Sequence, residues 1–247
     1  MILHLLGTGA AVSDPHRTTT MLAVSDGTST LAIDCGGDLV QRMMAAGIDL
    51  ATLDGLVVTH EHPDHVSGFP LFMEKLWLLG RSRPIPVFGI APALAQARKL
   101  WEAFDTTSWD TPQIDWREVA HEPDAEVLAS DAWRITASPV DHAVPTIGLR
   151  IEHAETGRVI AYSCDTAPCE HVVELARDAG LLVHEATGHQ PGVHSSVEEA
   201  GEIAAKAGAH RLLLVHLPPG LTDDDLEPAR RWFTEVEFGE ELEAYPI

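Results

Sequence analysis

The chain has 247 residues, 45% hydrophobic and 22% charged, as in an ordinary globular protein, and we expect one domain over residues 1–247. Its 16 basic and 38 acidic residues give a net charge of −22, which disfavours nucleic acid and anionic lipid as partners. No apolar stretch is long enough to span a membrane, no basic signal-peptide segment opens the chain, and the three cysteines form no CxxC pair, so we expect a cytoplasmic protein.

Short apolar runs and turn signals predict the elements of the fold. In the first half they predict strands at 3–6, 21–24, 31–33 and 56–59, helices at 38–46, 68–79 and 93–104, and a loop at 105–112. In the second half they predict strands at 133–138, 146–152, 158–162, 181–184 and 212–215, and helices at 170–179 and 195–207. Ser195 and Ser196 each precede a glutamate by three residues, which is typical of a capping box. This order favours an α/β sandwich of two sheets between helices.

Four potential metal ligands lie within six residues, directly after a predicted buried strand: His60, His62, Asp64 and His65. In α/β proteins, catalytic and ligand-binding residues commonly lie in the loops at strand ends. In an extended turn, alternate residues face the same side, so His60 and His62 can share one cation while Asp64 and His65 face a second. Several buried ionisable groups placed together are costly without a metal, so this cluster predicts a metal site.

Three further candidates lie at or just after other predicted strands: His142, Asp165 and His216. A carboxylate can bridge two cations, and we assign that role to Asp165. The first predicted site then consists of His60, His62, His142 and Asp165. The second consists of Asp64, His65, His216 and Asp165. Imidazole and carboxylate donors favour zinc, with manganese or iron as alternatives. Asp34 is either a partner that orients a ligand histidine or a strand-end cap.

The string from Thr59 to His65 matches the HxHxDH signature of the metallo-β-lactamase-fold hydrolases, and the resemblance covers nearly the whole chain. It implies the αββα fold of that family, with two mixed β-sheets flanked by helices. Within it the chain resembles the ribonuclease Z branch, in the segments 6–9, 33–36, 65–68, 184–187 (HEAT) and 194–196 (similar to HST). The resemblance implies that His194 donates a proton to the leaving oxygen, that Glu185 orients His194, and that Asp64 holds a bridging water.

The chain also departs from that branch. The nucleases insert a long tRNA-gripping arm between the third and fourth metal motifs, whereas only residues 143–164 separate His142 from Asp165 here. Leu217-Pro218-Pro219-Gly220 stands where the nucleases carry Ser and Arg-Tyr. Together with the negative charge, these departures favour a small phosphodiester or related ester over nucleic acid. The expected function is that of a binuclear metal-dependent hydrolase, a phosphodiesterase that cleaves a small phosphodiester or related ester with a metal-bridging hydroxide.

Other functions stay open at this point. They are a ribonuclease Z-type tRNA 3′-processing endonuclease, a mono-iron sulfur dioxygenase of the same fold, a thioesterase of the glyoxalase type, and a non-catalytic metal-binding protein. Relatives of the branch often form dimers, so the resemblance is also compatible with a homodimer.

Overall fold

The computed structural model describes residues 1–247 and contains two seven-stranded sheets. In chain order the strands are β1 (Ile2–Gly7), β2 (Met21–Ser25), β3 (Thr30–Ile33), β4 (Leu53–Val58), β5 (Ile85–Gly89), β6 (Ile114–Glu118), β7 (Ala125–Ala129), β8 (Trp133–Pro139), β9 (Ile147–His153), β10 (Val159–Tyr162), β11 (Leu181–Glu185), β12 (Leu212–Val215), β13 (Val236–Phe238) and β14 (Ala244–Pro246). The sheet orders are β14-β1-β2-β3-β4-β5-β6 and β13-β12-β11-β10-β9-β8-β7. Both sheets are mixed, since each combines antiparallel and parallel pairs.

Seven α-helices accompany the sheets: α1 (Leu39–Ala45), α2 (Pro63–Val66), α3 (Phe69–Leu78), α4 (Ala91–Glu102), α5 (Glu170–Leu175), α6 (Val197–Ala207) and α7 (Glu227–Arg230). Short 3₁₀ turns lie at Leu50–Thr52 and Asp223–Leu226. Local chemistry sets several helix ends. The side chain of Asp38 accepts from the amide of Gln41 at the start of α1. Ser196 and Glu199 form a capping box at the start of α6, and Gly208 ends that helix in the left-handed conformation.

The apolar residues form two clusters that explain the layers. The larger joins the inward faces of both sheets to α1, α3 and α4, and the smaller lies between the second sheet and the helices α5 and α6. The order of layers is therefore helices, sheet, sheet, helices, which confirms the predicted αββα sandwich. None of the helices combines the length and apolar character required to cross a membrane.

Most predicted elements are present, with their ends shifted by a few residues. The helix predicted at 170–179 ends already at Leu175. The extended turn predicted at 60–65 is extended only as far as His62, because Pro63 fixes a helical φ and begins α2. Strands β5, β6, β7, β13 and β14 were not predicted. The edge strand β6 carries exposed and half-buried polar residues, so it lacks a clear apolar pattern.

Five strand ends meet at one edge of the sandwich. Strands β10, β11 and β12 are mutually parallel, and β8 runs in the same direction as β10 because both are antiparallel to β9. Their carboxyl ends therefore lie at one edge of the second sheet. The segment after β4, in the first sheet, packs against this edge, because the amide of Ile147 donates a hydrogen bond to the carbonyl of Thr59 at 3.4 Å.

Candidate metal centre

The strand ends bring together all seven side chains singled out as ligand candidates. His60, His62, Asp64 and His65 follow β4 and continue into α2, and His142 follows β8. Asp165 follows β10, and His216 directly follows β12. Their potential ligand atoms form two adjacent groups.

The first group contains three imidazoles. His62 Nδ1 lies 3.2 Å from His142 Nε2, and the donor atoms of His60, His62 and His142 all lie within 4.8 Å of one another. The predicted fourth member is close to two of them: Asp165 Oδ2 lies 3.9 Å from His60 Nε2 and 4.0 Å from His142 Nε2.

The second group contains the four residues predicted for the second site: Asp64, His65, Asp165 and His216. His65 Nε2 lies 3.5 Å from Asp64 Oδ2 and 3.4 Å from Asp165 Oδ2. His216 Nε2 lies 3.2 Å and 3.4 Å from the same two oxygens. Two ligand atoms that are each about 2 Å from a tetrahedral cation lie about 3.3 Å apart. The second group therefore has the spacing of a tetrahedral site, and Asp165 Oδ2 lies between the two groups.

Unpartnered polar atoms test whether these residues suit a cation. His60 Nε2, His65 Nε2 and Asp165 Oδ1 are buried and have no hydrogen-bond partner in the protein. Buried polar atoms normally have hydrogen-bond partners, so three unpartnered atoms on neighbouring side chains need an explanation. A bound divalent cation explains these unpartnered atoms, and five imidazoles and two carboxylates are suitable ligands for such a cation.

Asp34 contacts a ligand candidate and also the end of strand β4, as each of the two roles considered for it requires. Its Oδ2 accepts from His65 Nδ1 at 2.8 Å, which leaves His65 Nε2 to face the other donors. Its Oδ1 accepts from the amide of Thr59 at 2.8 Å, and the Thr59 hydroxyl donates to both oxygens at 2.9 Å. Next to it, a Cβ on Gly36 would lie 1.6 Å from the carbonyl oxygen of Asp64. Glycine is therefore required for this approach.

Other partners of the imidazoles carry no sequence signal and were not predicted. His142 Nδ1 donates to the carbonyl of Val193 at 2.8 Å. His60 Nδ1 lies 3.2 Å from Thr59 Oγ1 and 3.6 Å from the sulfur of Cys164. A carbonyl is present in every residue, and neither Thr59 nor Cys164 belongs to a recognisable ligand spacing. Only the folded chain reveals their positions.

His194 and Glu185 form a hydrogen-bonded pair beside both groups. Glu185 is fully buried at the end of β11, and its Oε1 accepts from His194 Nδ1 at 2.8 Å. The same carboxylate accepts from the amides of Thr166, Ser195 and Thr187, which hold it in place. The His194 ring centroid lies 5.1 Å from that of His142 and 5.7 Å from that of His216.

Burial and nearby carboxylates shift the pKa values of the histidines at the centre in opposite directions. Burial lowers the pKa of His194, but the hydrogen bond and charge of Glu185, together with the charges of Asp165 and Asp64, raise it above its ordinary value. Burial also lowers the pKa of His65, and the carboxylates of Asp165 and Asp34 raise it well above its ordinary value. His60 differs, because burial dominates and lowers its pKa well below the usual range. The protein without cations therefore favours a proton on His65 and a neutral ring on His60.

Comparisons with known proteins find relatives that match nearly the whole chain. The profile of the family described as Beta-lactamase superfamily domain matches residues 29–217. A protein of Mycolicibacterium paratuberculosis named Ribonuclease Z is 33% identical, and the alignment covers 96% of this chain and 95% of that protein. That alignment runs over 273 positions, more than the 247 residues of this chain, so the relative carries segments without a counterpart here.

Two solved structures resemble the chain over nearly all of its length. The metallo-beta-lactamase fold protein YhfI from Bacillus subtilis has a TM-score of 0.80 and 24% identity, and covers 99% of this chain and 98% of its own. Human tRNase Z, short form, has a TM-score of 0.81 and 22% identity, and covers 100% of this chain and 99% of its own. At these identities the likeness concerns the fold.

Proposed function

The chain belongs to the beta-lactamase superfamily, among relatives named ribonuclease Z, and is a metal-dependent hydrolase; on this premise we propose that it cleaves a small phosphodiester or a related ester with two zinc ions. The observation that carries the proposal is the convergence of seven donor side chains in two adjacent groups around Asp165 Oδ2.

The two groups define which residues would hold each cation. His60, His62 and His142 would hold the first, and Asp64, His65 and His216 the second, with Asp165 as the bridge. Bound divalent cations supply Lewis acidity and lower the pKa of water, so that hydroxide is available near neutral pH. Zinc is the proposed metal because nitrogen and oxygen donors at near-tetrahedral spacing suit it.

His194 is proposed as the general acid. Its Nδ1 donates to Glu185, so its Nε2 is free to carry a proton to a leaving oxygen. Its side chain is 15% exposed, so a small substrate can reach it from solvent. Glu185 acts through His194 as a positioning residue: burial and three amide donors fix the carboxylate, which in turn fixes the ring.

The shape and charge of the chain support a small substrate. Between His142 and Asp165 the chain contains only β9, β10 and short connections, and β9 is joined to β10 by residues 154–158. No protruding arm for a large nucleic acid is built from this segment. The net charge of −22 also opposes a polyanion, because binding one depends on phosphate neutralisation by Lys and Arg.

Cleavage of tRNA precursors is the second candidate, and the 33% identity to a protein named Ribonuclease Z favours it. The two functions differ in what the substrate must offer beyond the scissile bond. A nuclease gains affinity from contacts along a folded RNA, and this gain falls steeply with salt. A small diester is bound almost entirely at the metal centre.

The test compares zinc-loaded protein on bis(p-nitrophenyl) phosphate and on a precursor tRNA with a 3′ trailer. We expect turnover of the diester and little cleavage of the RNA. Efficient RNA cleavage with no diester turnover would reverse the assignment. His194→Ala should retain zinc and lower diester turnover by about 10²–10⁴-fold. His210→Ala is the matched control, since His210 is exposed. Unchanged turnover in His194→Ala would remove the general acid from the account.

A further inference from the structure

Thr187 lies beside the candidate metal centre without belonging to either group of donors. It follows β11 two residues after Glu185, and its amide donates to Glu185 Oε2 at 2.8 Å. Its hydroxyl oxygen lies 2.7 Å from His216 Nδ1 and 3.0 Å from the carbonyl oxygen of His216. One hydroxyl therefore contacts both the ring and the backbone of the same residue.

The protons of these two bonds can be assigned. A carbonyl oxygen only accepts, so the single proton of the Thr187 hydroxyl goes to the carbonyl of His216. The hydroxyl oxygen then accepts from His216 Nδ1, which must carry a hydrogen. In the neutral ring this leaves the lone pair on Nε2, the atom that lies 3.2 Å from Asp64 Oδ2 and 3.4 Å from Asp165 Oδ2.

The backbone of His216 also needs support. Its φ is +53°, in the left-handed region that residues with a Cβ seldom adopt. Such conformations persist where the surroundings over-determine them. The hydrogen bond from the Thr187 hydroxyl to the His216 carbonyl is one such restraint. Another is the hydrogen bond that the backbone amide of Leu217 donates to the carbonyl of Thr8 at 2.9 Å.

Resting on the proposed two-metal function, we infer that Thr187 is a positioning residue for the second cation. It selects the ring tautomer and the backbone conformation of His216 and so presents Nε2 to Asp64 and Asp165. His142 of the first group receives equivalent support from the carbonyl of Val193. The support of His216 comes from a side chain, so, unlike that of His142, it can be removed by substitution without changing the backbone.

The test titrates metal-free protein with zinc against a chromophoric chelator, which yields a separate affinity for each of two steps. Thr187→Val keeps the branched shape but loses the hydroxyl. Removing an outer partner of a ligand histidine lowers metal affinity by about 10–100-fold. We expect a loss of this size in one step of Thr187→Val, no change in the other step, and wild-type affinities in Thr187→Ser, which keeps the hydroxyl.

The outcomes separate this inference from the proposed function. Two wild-type affinities in Thr187→Val would overturn the role of Thr187 while leaving both metal sites intact. A wild-type protein that binds no zinc would overturn the proposed function itself. Circular dichroism of the metal-free variants checks the fold. If Thr187→Val does not fold, Thr187→Ala is measured in its place. The same loss of zinc affinity in one step is expected, and two wild-type affinities would overturn the inference.

Discussion

Replacement of Asp34 by asparagine should weaken the second metal site selectively. The Asp34 carboxylate accepts from His65 Nδ1 and from the amide and hydroxyl of Thr59 at 2.8–2.9 Å. Asparagine has nearly the same shape and tolerates the φ of +61° at this position, so the backbone strain is matched. Its carbonyl can still accept from Thr59, but its amide then faces the N–H of His65, donor against donor.

The magnitude follows from the bond that is lost. A hydrogen bond to a charged group contributes about 1.5–3 kcal/mol, and a buried donor left without a partner adds to the cost. Since about 1.4 kcal/mol corresponds to a tenfold change, the expected loss agrees with the roughly 10–100-fold usual for such outer partners. Affinity is measured by chelator competition, with the half-buried Asp115→Asn as the control, because Asp115 pairs only with Arg117 and contacts no ligand candidate. Two unchanged zinc affinities in Asp34→Asn would refute the reasoning.

Further predictions concern pH, helix capping and close packing. Zinc affinity should fall as pH falls through the neutral range, because His65 must lose its proton before it binds a cation. Burial lowers the pKa of His65, but two carboxylates raise it well above its ordinary value. A pH-independent zinc affinity would contradict this prediction. Ser196→Ala removes the N-terminal cap of α6 and should lower the free energy of unfolding, measured in urea, by about 1 kcal/mol. The exposed Ser108→Ala should leave it unchanged, and equal free energies of unfolding in the two variants would argue against the cap. Gly36→Ala should lose zinc and melt at a lower temperature, because its Cβ would lie 1.6 Å from the Asp64 carbonyl oxygen; full zinc content would count against that contact.

The sequence was sufficient to predict the layers of the fold and the convergence of the seven ligand candidates, because each has a local signal. Buried parallel strands are short continuous apolar runs, and Asp165 and His216 follow two of them, β10 and β12. His142 follows β8, an antiparallel strand in which buried and more exposed residues alternate at first. Strand ends that share an edge must bring such residues together, so the geometry followed from the order of the elements. The single domain, the identity of the metal and the homodimer stay predictions.

The supports of the donor residues could not be predicted in the same way. The carbonyl of Val193 becomes a partner of His142 only because residues 188–195 fold into a loop that places this carbonyl beside the imidazole. The left-handed backbone of Asp34, Cys164 and His216 has no signal in the sequence, since none of them is glycine. Edge strands such as β6 were missed because their residues are half-buried or exposed, and an apolar pattern arises only from burial.

The most direct test of the two-metal centre is a crystal structure of the zinc-loaded protein with anomalous scattering recorded at the zinc edge. The account predicts two anomalous peaks per chain, one among His60, His62 and His142 and one among Asp64, His65 and His216, with Asp165 between them. A single peak, or no peak within this group of side chains, would contradict it.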